Sequence, residues 1–163
     1  MPARRPVNRR AAPTHSIATI GYQGATARNV VDTLLAAGID LLVDVRAVAS
    51  SRRPGFSKSL LAAHLMEGGI EYLHLRALGT PAAGRAAARA GRHEEMRTIY
   101  LGHLVLPEAQ AALDALADLV RAGRRACLLC FEADAAHCHR SMVAAALDAL
   151  VPVRVVHLDP SGA

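Results

Sequence analysis

Apolar positions along the 163-residue chain follow two periods. Residues 16–21 (SIATIG), 41–45 (LLVDV), 70–75 (IEYLHL), 126–131 (ACLLCF) and 153–157 (VRVVH) are short, nearly continuous apolar runs. That is the pattern of strands buried on both faces. Between them the spacing turns helical. Residues 26–37 carry Val30, Val31, Leu34 and Leu35 on one side, with Gly38 as a stop. Ser57 is placed to cap a helix over 58–67, closed by Gly68-Gly69. Residues 93–103, 108–122 and 139–150 complete the helical set, Pro107 being preset for a first turn and Gly123 for an end. Residues 76–92 read as a long irregular stretch with short helical potential. Strand–helix alternation of this kind predicts an α/β fold. The expected form is a three-layer sandwich of about five mostly parallel strands flanked by helices, a Rossmann-like open sheet with right-handed crossovers. No internal repeat or interdomain linker interrupts it. A single α/β domain is expected over 16–159, after a flexible Arg-rich tail over 1–15.

Composition narrows the class. Hydrophobic residues make up 52% of the chain, which excludes disorder as the main state. With no Trp, and with Phe56, Phe131, Tyr22, Tyr72 and Tyr100 as its aromatic residues, the core must be aliphatic. The most apolar long stretch, 105–120, is broken by Glu108, Asp114 and Asp118, so no membrane span is expected. The basic start lacks the apolar run of a signal peptide. Three cysteines within twelve positions (Cys127, Cys130, Cys138) form no disulfide framework, and a reducing cytoplasm is the expected compartment. The net charge of +5 is unevenly spread, with a basic excess in residues 1–10 and 46–97 and an acidic balance elsewhere. Nearly all the cations are Arg, which suits bidentate recognition of phosphate or carboxylate, although GC-rich codon usage gives the same bias.

Ligands of open parallel sheets bind outside the carboxyl ends of the strands. Here those ends carry Gly21-Tyr22-Gln23-Gly24, then Asp44 and Arg46, then His74 and Arg76, and finally Glu132 and Cys138-His139-Arg140. Each has a functional and a structural reading. Gly21 and Gly24 make a phosphate turn or a plain tight turn. Asp44 and Arg46 serve a ligand or pair internally, since a carboxylate inside an apolar strand requires a partner. His74 is a ligand contact or a satisfied structural histidine. Cys138, at a helix N-terminus beside His139 and Arg140, sits where a thiol is driven toward thiolate. The bland reading is a capping loop with a buried thiol. The spacing is not the C-x5-R loop of cysteine phosphatases. Cys130, Cys138 and His139 are a conceivable metal set, with Glu132 or His137 as a fourth ligand. However, structural zinc sites usually show two paired knuckles, and strand alternation turns Cys127 and Cys130 to opposite faces. No metal site and no cofactor are therefore expected.

In order along the chain stand Thr19-Ile20-Gly21-Tyr22, Asp44-Val45-Arg46, Ser51-Arg52-Arg53-Pro54-Gly55-Phe56-Ser57-Lys58, Gly69-Ile70-Glu71-Tyr72-Leu73-His74, Leu78-Gly79-Thr80-Pro81, and Glu132 followed by Cys138-His139-Arg140. With these motifs, residues 17–150 resemble the domain-of-unknown-function family 488, small bacterial and archaeal proteins. Ala47-Val48-Ala49-Ser50 departs from it, since relatives often carry a proline after D-V-R. The resemblance implies an α/β sandwich with a polar cluster on its rim, and no particular reaction.

Two function classes compete. In the first, the chain is an enzyme, or a binder descended from one, for a small anionic or nucleotide-like molecule. Cys138 is then nucleophile or redox-sensitive thiol, and Arg46 and Arg140 clamp the anion. Glu132 or Asp44 is the acid–base group, His139 assists, and Gly21, Tyr22 and His74 line the ligand. In the second, Arg-rich residues 46–97 and the tail bind nucleic acid. The acidic balance after position 97 and the scarcity of stacking aromatics weigh against that. The helix over 108–122, with Leu113, Leu116 and Val120, is a candidate homodimer contact or simply core.

Overall fold

Every short apolar run forms a strand, and a computed structural model describes residues 12–162. The elements are β1 (His15–Gly21), α1 (Ala27–Ala36), β2 (Leu41–Asp44), α2 (Lys58–Glu67), β3 (Glu71–His74), α3 (Ala82–Arg89), α4 (His93–Leu104), α5 (Pro107–Arg121), β4 (Ala126–Cys130), α6 (His139–Leu150) and β5 (Val153–Leu158). One-turn 3-10 segments at Arg76–Leu78 and Ala135–His137 connect them at the rim. The five strands form one parallel sheet in the order β3-β2-β4-β1-β5. β4 thus lies between β1 and β2, unlike the 3-2-1-4-5-6 order of the dinucleotide-binding sheet.

Strand alternation divides the core in two. Ile17, Leu41, Val43 and Leu128 face a cluster completed by α4, α5 and α6. Ala18, Ile20, Leu42, Cys127 and Leu129 face a second cluster completed by α1 and α2. Helices therefore cover both faces, giving the three-layer arrangement. Leu113, Leu116 and Val120 of α5 lie inside the first cluster, so the face suggested for a homodimer contact is committed to the chain's own core.

Two local expectations need correction, and a third lies mostly outside the described residues. Residues 76–92 are not mainly irregular, because α3 occupies their centre. Ser57 stands at the N-cap of α2 without a capping side-chain hydrogen bond, whereas Thr26 Oγ1 accepts from Asn29 N at 3.1 Å at the start of α1. The expected Arg-rich tail falls, through residue 11, outside the described residues, and His15 already belongs to β1. Among the described residues no helix is long and apolar enough to cross a membrane.

Candidate functional site

The parallel order brings the carboxyl ends of β1, β2, β3 and β4 to one edge. Gly21 pairs with Cys130 and Asp44 with both Leu129 and His74, so these residues are lateral neighbours. Two separate polar groups form there.

The first group is self-contained. Asp44 is fully buried. Its Oδ1 accepts from Arg46 N (3.0 Å) and Arg46 Nε (2.9 Å). Its Oδ2 accepts from Arg46 Nη2 (2.7 Å) and from the Tyr72 hydroxyl. Arg46 Nη1 donates to the Tyr22 hydroxyl (3.1 Å) and to the Phe56 carbonyl (2.8 Å). The Tyr22 ring stacks on Phe56 at 4.3 Å, and His74 Nε2 donates to the Arg46 carbonyl at 2.7 Å. Burial works against the Arg46 charge, but its bonds to Asp44 outweigh this and raise its pKa. Burial and the adjacent Asp44 charge push the Tyr72 hydroxyl up as well. Four hydrogen bonds to Asp44 leave no oxygen open for proton transfer, and two donors of Arg46 that the ion pair leaves over go to Tyr22 and Phe56. Asp44 and Arg46 together form an internal ion pair bracing the rim, and Arg46 also lines the cavity described below. His74 is a satisfied structural histidine.

The second group gathers two thiols, a carboxylate and an imidazole. Cys130 ends β4, and an eight-residue loop returns to place Cys138 at the N-cap of α6 with His139 after it. Arg140 anchors that loop. Its Nη1 donates to the Glu132 carbonyl, its Nη2 to the Ala133 carbonyl (3.2 Å) and its Nε to Thr19 Oγ1 (3.2 Å). Arg140 is 1% exposed and lines neither cavity described below. Gly21 has a similar task. A Cβ on it would lie 1.8 Å from the Glu132 carbonyl oxygen, so glycine is required for the loop to approach β1.

Under this loop, His139 Nε2 donates to the Val45 carbonyl at 2.7 Å. Its Nδ1 faces Cys130 Sγ at 3.4 Å and Cys138 Sγ at 3.9 Å. Glu132 Oε2 accepts from Cys130 Sγ at 3.2 Å. Burial disfavours charge on Cys138, yet hydrogen bonds from Cys130 and His139 and the charges of His139 and Arg140 outweigh it, and its pKa falls well below the ordinary thiol value. The bond to Cys138, burial and the nearby Glu132 carboxylate push Cys130 up. Burial opposes an imidazolium at His139, but its contacts with Cys138 prevail and raise its pKa. Burial and the Cys138 charge raise Glu132. Of the two thiols, the surroundings thus favour the thiolate at Cys138, at the helix terminus, over Cys130, which faces a carboxylate.

A cavity of about 270 Å³ opens over this group. Tyr22, Cys130, Phe131, Glu132 and His139 line its sheet side, and Thr80, Arg85, Ala88 and Arg89 its helical side. A neighbouring cavity of about 420 Å³, between α4 and α6, is lined by Cys138, Met142, Ser141 and His93. Met96 and His137 border both cavities. Arg85 donates to the Thr80 carbonyl (2.8 Å), and neither Arg85 nor Arg89 is ion-paired among the described residues. These two arginines of α3 were not singled out as site residues from sequence. The available signal was their i, i+4 spacing in an Ala-rich run, PAAGRAAARA, which places both on one helix face.

A family model described as "Domain of unknown function DUF488" matches residues 26–147. Comparison with the curated proteins and with the solved structures found no match.

Proposed function

The chain belongs to the DUF488 family, and we propose that its rim cavity binds a small anionic molecule and presents it to the Cys130–Glu132–Cys138–His139 group for reaction. One observation carries this reading: a single cavity is lined both by two arginines without carboxylate partners and by a thiol, a carboxylate and an imidazole. Arg85 and Arg89 supply the charge that holds a phosphate or carboxylate. Phe131, Tyr22, Ala88 and Met96 offer apolar contact to the rest of the ligand. Opposite the arginines, Glu132 is the acid–base group and His139 orients the sulfurs. The volume suits a small molecule, lying near the lower end of ligand pockets, which run about 300–1,000 Å³.

Nucleic-acid binding through residues 46–97 draws less support from the same geometry. Arg46 is buried in its ion pair, Arg92 pairs with Glu95 and Arg53 Nη2 donates to the Ala25 carbonyl, so several of those cations are engaged within the fold. The test is a thermal-shift panel of nucleoside monophosphates, sugar phosphates and dicarboxylates, run on the full chain and on R85A/R89A. A saturable rise in Tm with one class, lost in the double variant, is expected. Stabilisation that persists unchanged in R85A/R89A, or no saturable stabilisation at all, overturns the reading.

A further inference from the structure

From sequence, the spacing of the cysteines argued against a metal, because the two in β4 point to opposite faces. Cys127 does lie in the α1–α2 core, but the loop after β4 brings Cys130 against Cys138 and His139 instead. We propose that Cys130 Sγ, Cys138 Sγ and His139 Nδ1 form a binding site for a zinc-like divalent cation.

The three donor atoms lie within 4.8 Å of one another, on three buried residues. Zinc bonds of about 2.3 Å to sulfur and about 2.0–2.1 Å to nitrogen give a tetrahedron with sulfur–nitrogen edges of about 3.6 Å. The observed sulfur–nitrogen separations, 3.4 and 3.9 Å, bracket that value. Closing the site takes displacements of a few tenths of an ångström along these edges. The imidazole is already oriented for it. Nε2 is fixed as a donor by the Val45 carbonyl, so Nδ1 is the nitrogen turned to the two sulfurs, and the Tyr100 ring packs edge-on against His139 at 5.1 Å. A ligating histidine usually donates its second N–H to such a carbonyl. Glu132, 3.2 Å from Cys130 Sγ, lines the arginine cavity beside the three donors. Two sulfurs with one imidazole select a borderline-soft ion over magnesium or calcium. On binding, whatever protons Cys130, Cys138 and His139 Nδ1 still hold pass to solvent, and the metal takes two thiolates and a neutral imidazole.

This site uses the sulfur–imidazole group to which the proposed function delivers the anion, but no donor comes from α3, so anion capture and metal binding can be lost separately. The experiment is a cobalt titration of the chelator-treated, reduced full-length chain. Expected are thiolate-to-cobalt charge-transfer and tetrahedral d–d bands saturating at one ion per chain and bleached by one equivalent of zinc. C127S and R85A/R89A keep the spectrum, whereas C130S and C138S lose the charge-transfer intensity or bind at least tenfold more weakly. Since a serine at either position risks the fold, a second readout uses the wild-type chain. Zinc should slow iodoacetamide alkylation of Cys130 and Cys138, with Cys127 as the internal reference. Absence of the bands from folded chain, unchanged binding by C138S, or zinc that protects neither thiol overturns the proposal. A normal spectrum from R85A/R89A that no longer binds anions separates the two readings.

Discussion

Asp44 has four donors around two oxygens and no contact with solvent, and that decides what its removal does. An Asp44→Asn variant leaves the Arg46 guanidinium buried without a counter-charge. Breaking one partner of a buried pair costs about 3–5 kcal/mol. For a chain of this size that is a Tm loss of roughly 6–20 °C, and thermal unfolding measures it. A Tm within two degrees of wild type, on the order of 0.5 kcal/mol by the same scaling, would show that the pair does not brace the rim. The Asp44–Arg46 pairing was legible in sequence, because the two residues are two positions apart and a strand carboxylate requires a partner. What hid its role was the set of long-range partners, Tyr72, Tyr22 and the Phe56 carbonyl, which saturate both side chains. The partners of Arg140 were hidden for the same reason: its acceptors are carbonyls seven and eight residues upstream and a hydroxyl in β1. Cys138-His139 was recognised from its place at a helix start. Cys130 was grouped with them from sequence as a conceivable metal ligand, but strand alternation argued against the set, because the approach of Cys130 is a property of the loop.

At the level of elements, the two N-caps of the α1–α2 layer differ in a way only the coordinates reveal. Thr26 satisfies the Asn29 amide, whereas Ser57 makes no such bond. Thr26→Ala should destabilise the chain by about 1 kcal/mol, and Ser57→Ala by less than about 0.5 kcal/mol. Urea midpoints of the two variants test this, and equal losses would contradict the capping geometry. Five strands and five of the six helices were readable from periodicity because each buries an apolar face. The exception is α3, whose sequence AAGRAAAR has few large apolar residues and buries only Gly84 and Ala87. The helix that carries the proposed anion-binding arginines was therefore the least visible in the pattern.

Across the whole molecule, the parallel sheet separates stability from chemistry. At the amino ends of the strands, opposite the rim, Asp40 pairs with Arg124 (3.1 Å) and Arg125 (3.2 Å), and Arg124 reaches Glu71 (3.0 Å). Partial burial works to raise the Asp40 pKa, but hydrogen bonds from both arginines outweigh it, and the net shift is downward. A carboxyl with a lowered folded-state pKa stabilises the fold above its unfolded value and loses that contribution as pH falls through the folded one. Wild type should therefore exceed Asp40→Asn in urea midpoint at pH 6, and the two should converge below about pH 4. A constant gap down to pH 3 would contradict the assignment, and cobalt binding should be the same in both. Strand order was the part of the architecture that sequence did not reveal. Placing β4 between β1 and β2 depends on non-local pairing, which no local period records.

The central claim is that arginines of α3 and sulfurs from β4 and the start of α6 meet at one rim. Parallel alkylation of metal-free chain with iodoacetate and iodoacetamide, followed by peptide mass spectrometry, tests it directly. The two reagents deliver nearly the same group, but one is an anion. Labelling of the Cys130–Cys138 pair should favour iodoacetate in wild type, and the ratio of the two rates should drop several-fold in R85A/R89A while the iodoacetamide rate holds. An identical ratio in both proteins would contradict the account.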